Sequence, residues 1–370
     1  MASLGILPPD IEPKATDYME KIKKFIELLI EKGCAYESGG DVYFDIKKAK
    51  RYGKLSNQNI DKMEAGARIS PGEKKRDPLD FALWKKAKEG EPSWESLWGM
   101  GRPGWHIECS AMSSDILGDE FDIHGGGIDL IFPHHENEIA QSEGAGKRFA
   151  RIWMHNGLLT INGEKMAKSL GNFISIKDFL AKYKDPDYLK LLFLNTHYRH
   201  PVDYSEEKIN EMKSQKERFI ILFEKIDRML KTSEPAKELN RDIKEFRGKF
   251  EAAMDDDFNT PLAMASLFDL VAYMNRFMQD RVKYTDDDKA VICSVGNLMK
   301  SLSSVFGLGL ATPVASGQIN KKDIDLLIRQ REKARIDRDF KKADEIRKRL
   351  AGQGIILEDT KDGPVWRKRL

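Results

Sequence analysis

Apolar positions recur at helical spacing between residues 14 and 33, where Met19, Ile22, Ile26, Leu29 and Ile30 fall on one side. The pattern predicts an amphipathic helix with Thr16 as its N-cap and Gly33 as its stop. DVYFDI (41–46) predicts a strand. Residues 47–100 break the rhythm: they are charged and rich in Lys, Gly and Pro, with Trp84, Trp94 and Trp98 irregularly spaced. That stretch reads as an inserted module rather than the centre of a sheet. From about 101 to 160 the order is strand, glycine loop, helix, strand, carried by EFDIHGGG, NEIAQSEGAG and RIWMHNGLLTING. Such alternation indicates an α/β unit with a parallel sheet, whose ligands bind beyond the carboxyl ends of its strands. From 205 to about 306 long charged-amphipathic segments predict helices, and GLGLATPVASGQ (307–318) reads as a linker.

Composition narrows the class. A chain of 370 residues can hold two or three domains, and 41% hydrophobic with 33% charged residues is an ordinary soluble balance. No run approaches the roughly 18 apolar residues of a membrane span, so no membrane partner is expected and the cytoplasm is the expected location. The three cysteines, Cys34, Cys109 and Cys293, are odd in number and far apart, which excludes a disulfide framework. Cys34 and Cys293 read as small, buried or half-buried side chains; only Cys109 has polar company. The net charge of +2 conceals a division: residues 321–370 hold 16 Lys or Arg against 10 Asp or Glu. A basic helical tail on a near-neutral body fits an RNA-binding module, although charge alone favours a solvated, salt-bridged helix.

The loops carry the candidate chemistry. In DLIFPHHENEIAQSE, His134 and Glu138 are four apart and share one face of a helix, while His135 and Glu136 turn away from it. Cys109, His134 and Glu138 offer sulfur, nitrogen and oxygen, a set suited to zinc with one position unfilled. A His/Glu pair at this spacing is by itself an ordinary surface pair. INGEKMAKSLGN places Lys165 and Lys168 on a glycine-flanked loop, where lysines can reach a polyphosphate, although spacing alone favours an ordinary basic surface turn. HGGGID lets a nucleotide approach the backbone, with Asp129 available to ribose hydroxyls, or is simply a tight turn. Trp105 can pack over a small substrate or within a core.

Taken together, KRDPLDFALWKKAKEGEPSWESLWGMGRPGWHIECSAM, FDIHGGGIDLIFPHHENEIAQSE and GEKMAKSLGN resemble the cysteinyl-tRNA synthetases in order and spacing. YGKLSNQNID, DDDFNTPLAMA and the tail REKARIDRDFKKADEIRKRLAGQGIILEDT extend the resemblance over essentially the whole chain. It implies an α/β fold: a partial Rossmann-type class I synthetase catalytic domain, then a helical bundle and a small C-terminal domain. The implied boundaries are a catalytic part over 1–160 with a connective insertion at about 38–100, and a lysine-loop stem-contact region over 161–208. A helical bundle over 209–306, a linker over 307–318 and an anticodon-binding domain over 319–370 follow.

The implied activity is ligation of L-cysteine to the 3′ end of tRNA-Cys through cysteinyl-adenylate, with ATP and magnesium, by a monomer. By resemblance, Cys109, His134 and Glu138 match three of the family's four zinc ligands, one zinc per chain reads the substrate thiol, and Trp105 lines the cysteine pocket. Lys165, Met166, Lys168 and Ser169 match the Lys-Met-Ser-Lys-Ser loop, with Ala167 in place of its first serine. Gly125, Gly126, Gly127 and Asp129, together with Lys168, match the ATP-binding region; Arg335, Phe340, Asp344, Asp359 and Trp366 match anticodon contacts. The family's His-Ile-Gly-His signature and remaining zinc cysteine precede the matched region and do not occur here, so the chain is expected to be a fragment or late-called start of a complete enzyme or, failing that, a short protein with little or no adenylate formation. Two other readings are a non-catalytic tRNA-binding paralogue and a mycothiol-type cysteine:aminosugar ligase, the second disfavoured by the full basic tail.

Overall fold

The computed structural model describes the chain apart from residues 59–73, 168–170, 230–240, 280, 282, 311–320, 353–354, 361–362 and 369–370. Two compact units emerge, one formed by Leu7–Thr160 with Tyr198–Asp203, the other by Met1–Ile6, Ile161–His197 and Tyr204–Leu370.

In the first unit, helix α1 (Met19–Glu31) buries Met19, Ile22, Phe25, Ile26 and Leu29, as its periodicity predicts. Thr16 does not cap it. A 3-10 turn over Ala15–Tyr18 precedes the helix, and Tyr18 stands at the N-cap position without a side-chain bond. Gly33, at φ +68°, takes the left-handed conformation that ends the helix. Four strands follow in antiparallel order: β1 (Ala35–Ser38), β2 (Asp41–Phe44), β3 (Phe81–Lys86) and β4 (Gly101–Pro103). The expected insertion therefore contributes an inner strand. Leu83 and Trp84 of β3 are fully buried with Val42, Phe44, Ile22 and Leu29 in one core, so its lysines flank a strand that the apolar pair anchors.

Helix α2 (Trp105–Leu117) starts where Gly104 meets β3: its N–H donates to Leu83 O at 2.8 Å, and a Cβ there would lie 2.0 Å from Ala82 O. No other residue allows that approach. Strand β5 (Glu120–Gly127) then pairs in parallel with β6 (Phe149–Asn156), and α3 (Glu136–Gly144) makes the crossover. The parallel sheet is as expected. The glycines, however, prolong β5 rather than turning, with Gly125, Gly126 and Gly127 in register with Met154, His155 and Asn156.

The second unit is dominated by long helices, including Glu206–Met229, Arg241–Asp255, Thr260–Gln279 and Asp286–Val305. Lys216 is buried among Asp185 and Asp187, with Nζ to carboxylate distances of 2.6–3.0 Å. Asp187 also accepts from Gly309 N at 2.9 Å. Toward the C-terminus, helices Lys321–Ile336 and Phe340–Gly352 pack on a hairpin, Ile355–Thr360 with Gly363–Lys368, around Ile324, Ile328, Ile346, Leu350, Ile355 and Leu357. Most of the linker expected over 307–318 lies outside the described residues.

Candidate metal centre and catalytic loop

α2, α3 and the π-helical turn Ile131–His135 that leads into α3 bring three predicted ligands together. One donor atom each of Cys109, His134 and Glu138 lies within 4.8 Å of the other two. Glu138 is fully buried. Its Oε1 is 2.8 Å from His134 Nε2 and its Oε2 is 2.8 Å from His124 Nε2, yet neither oxygen carries a directed hydrogen bond. A buried carboxylate with two imidazoles in contact and no directed hydrogen bond is a donor set that a cation would satisfy.

The electrostatics agree. Burial opposes ionisation of Glu138, but the imidazoles of His124 and His134 outweigh it and hold the carboxyl at about 2. Burial, reinforced by the neighbouring carboxylate of Glu138, pushes the Cys109 thiol up to about 12. Without a cation the site therefore carries a protonated thiol; a thiophilic cation favours the thiolate. His106 Nδ1 lies 2.8 Å from His134 Nδ1, and burial followed by the charge of His134 lowers His106 to about 4. A neutral His106 can fix the orientation of His134 by the nitrogen that Glu138 does not face.

His124 and His106 are participants that spacing alone did not reveal. They reach the centre from β5 and α2, ten and 28 positions from His134, and only the tertiary fold assembles them. His124, His135 and Glu138 make a second possible donor group that shares the same carboxylate. His135 Nδ1 meets His155 Nε2 at 2.9 Å, and a Cβ on Gly126 would lie 2.7 Å from the His135 ring. The central glycine of HGGG thus makes room for an imidazole.

His135 and Glu136 do turn from the His134 face, but into protein rather than water, with each 1% exposed. Glu136 accepts from Gly53 N at 2.6 Å and Ser56 N at 2.9 Å, and Asn137 accepts from the Tyr52 hydroxyl at 2.5 Å.

Trp105 is more than half exposed, with its ring centre 4.3 Å from that of His134, so it stands beside the centre with a free face. Gly125, Gly126 and Gly127 close β5 and Asp129 is exposed just beyond. Lys165 is exposed on the short strand Glu164–Lys165. The Asn172 side chain spans its loop, donating to Lys165 O at 3.0 Å and accepting from Ala167 N at 2.8 Å. Lys168 and Ser169 lie outside the described residues.

In the C-terminal hairpin module, Asp359 accepts a two-pronged bond from Arg331 at 2.8 and 2.9 Å, and Arg335 lies 3.2 Å from the same carboxylate. Trp366 Nε1 donates to Asp325 at 3.1 Å. Phe340 and Asp344 are exposed.

A model of the class I (C) tRNA synthetase catalytic domain matches residues 1–214, a DALR domain model matches 249–311, and a cysteinyl-tRNA ligase anticodon-binding domain model matches 321–367. Among solved structures, methionyl-tRNA synthetase of Mycobacterium tuberculosis with methionyl-adenylate aligns at TM-score 0.59 and 15% identity, over 85% of this chain and 76% of that one. A putative arginyl-tRNA synthetase of Campylobacter jejuni aligns at 0.52 and 16%, over 83% and 65%. Fold and domains define a class I aminoacyl-tRNA synthetase.

Curated relatives specify the amino acid. The cysteine–tRNA ligase of Syntrophotalea carbinolica is 47% identical over 382 residues, spanning 100% of this chain and 79% of the relative. That of Sulfurihydrogenibium sp. is 49% identical over 384 residues, spanning 98% and 78%. The chain belongs to the cysteine–tRNA ligase family. Its substrates are therefore tRNA, an amino acid and ATP, and the aminosugar-ligase reading is set aside. Among the described residues, no helix is long and apolar enough to cross a membrane.

Proposed function

We propose that cysteine–tRNA ligation proceeds here with one zinc held by Cys109, His134 and Glu138, and that the metal selects the amino acid. The observation that carries this is the convergence of the three donor atoms around a buried carboxylate whose oxygens lack directed hydrogen bonds. When bound, zinc would supply a thiophilic contact that prefers the substrate's thiol to serine's hydroxyl, a discrimination that a plain pocket provides only weakly. His106 orients His134, and Trp105 lies over the position where a small side chain would sit. The HGGGID segment, through Gly125, Gly126, Gly127 and Asp129, borders the adenosine of ATP. Lys165 and Lys168 neutralise charge developing on the magnesium-bound triphosphate as pyrophosphate departs. Arg335, Phe340, Asp344, Asp359 and Trp366 read the tRNA-Cys anticodon, and the basic C-terminal module meets RNA phosphates. The protein acts as a cytoplasmic monomer, with a catalytic part over 1–160 and an anticodon-binding domain over 319–370.

Metal analysis of freshly purified protein tests the centre. About one zinc per chain is expected, falling below a tenth in Cys109→Ala at unchanged circular dichroism. Absence of zinc from the unaltered protein after purification without chelators overturns the assignment.

A further inference from the structure

Of the five residues matched to anticodon contacts, Asp359 is the one whose carboxylate is already engaged by a buried cation. Arg331 lies on the helix Lys321–Ile336 and is 4% exposed, which is rare for a guanidinium. It offers its fork to both oxygens of Asp359, at 2.8 and 2.9 Å, and touches Glu332 at 3.0 Å. Asp359 is not enclosed: its side chain keeps 40% of its exposure on the hairpin strand Ile355–Thr360. Each carboxylate oxygen has two lone pairs, and the fork takes one from each. The outward pair of Oδ2 is left free of the fork, and that of Oδ1 faces the exposed Arg335 at 3.2 Å, a contact that a base donor would replace. A flat acceptor of that kind fits the amino and imino donors on the Watson–Crick edge of an unstacked base.

We propose that Arg331 is a positioning residue for anticodon reading: its buried fork holds the Asp359 carboxylate in the plane that accepts from one anticodon base. The proposal rests on Asp359 being a base contact. Arg331 itself cannot reach the base, because its guanidinium is buried behind the carboxylate. Arg335, exposed and 3.2 Å from Asp359 Oδ1, makes a single contact and cannot supply the same two-point constraint.

The test uses the full chain and transcripts of tRNA-Cys substituted singly at each of the three anticodon positions, with binding followed by fluorescence anisotropy. For the unaltered protein, substitution at the base read by Asp359 weakens binding roughly tenfold, the effect of one good bidentate contact. In Arg331→Met that penalty falls to about twofold, while the penalties at the other two positions remain. Arg331→Lys, which keeps the charge but not the fork, behaves like Arg331→Met; Asp359→Asn loses the same penalty.

Full retention of all three penalties in Arg331→Met overturns the proposal. Their joint collapse, with an earlier thermal transition, also overturns it and leaves Arg331 a purely structural anchor. If Asp359→Asn leaves every penalty of the unaltered protein intact, the reading of Asp359 as a base contact fails, whatever Arg331 does.

Discussion

Replacing Lys216 with Met tests whether the buried ion cluster of the helical unit is required for its stability. Lys216 Nζ lies 3.0 and 2.8 Å from the two oxygens of Asp185 and 2.6 Å from Asp187 Oδ2, and all three side chains are at most 5% exposed. Methionine fills the aliphatic stem and removes only the charge. Breaking a buried pair by deleting one partner costs about 3–5 kcal/mol, because the other charge stays buried and uncompensated. Asp187 would keep Lys190 at 2.7 Å and Gly309 N at 2.9 Å, whereas Asp185 would keep the Asp187 N–H at 3.0 Å but no ion pair among the described residues. One stranded carboxylate rather than two places the cost at the lower end, about 3 kcal/mol. For a unit of some 200 residues this is a fall in Tm of about 6–12 °C, read by calorimetry alongside urea titration.

The pH dependence has a definite sign. Burial raises the pKa of Asp187, but Lys190 and Lys216 outweigh it and hold it below the ordinary carboxylate value. A depressed carboxylate contributes stability above its unfolded value, near 4, and loses it as pH falls through the folded value. The gap between the two proteins is therefore full at neutral pH and narrows below about pH 4. A loss under about 1 kcal/mol at neutral pH would refute the reasoning.

Other residues give separable outcomes. Trp105→Ala should raise KM for cysteine about 2- to 10-fold, the worth of an aromatic contact, with no change in tRNA binding. Asn172→Ala removes both side-chain bonds across the Lys165 loop and should slow ATP–pyrophosphate exchange about tenfold while leaving zinc content at one per chain. Glu136→Ala strands two backbone donors and should cost about 2–4 kcal/mol in urea unfolding. Retention of zinc in that variant would show that the two faces of α3 act separately.

Local order along the chain was readable where one period governs several residues. The apolar stripe of α1 and the strand–helix–strand alternation around α3 both came through, because each buries a face set by its own spacing. His134 and Glu138 were visible for the same reason, one helical turn apart. His106 and His124 were not, since the contacts that enlist them are made only after β5 and α2 are packed. Strand β3 was hidden by its lysines: two buried residues, Leu83 and Trp84, decide its place, too few to establish a period. Thr16 failed as a cap because a 3-10 turn intervenes before Met19. The glycines of HGGG resembled a turn, yet Gly126 is shaped by the His135 ring beside it.

The grip of Glu136 on the 53–56 turn sets an unusual rule for which changes that turn accepts. Its carboxylate holds main-chain N–H groups, so its bond to position 56 does not use the Ser56 side chain but excludes proline there, which has no N–H to give. Position 53 is stricter: Gly53 has φ +87° and a Cβ would meet Gln58 O at 2.3 Å, so only glycine serves. Two residues on one carboxylate therefore meet different demands from it, one to keep an N–H and the other to be glycine.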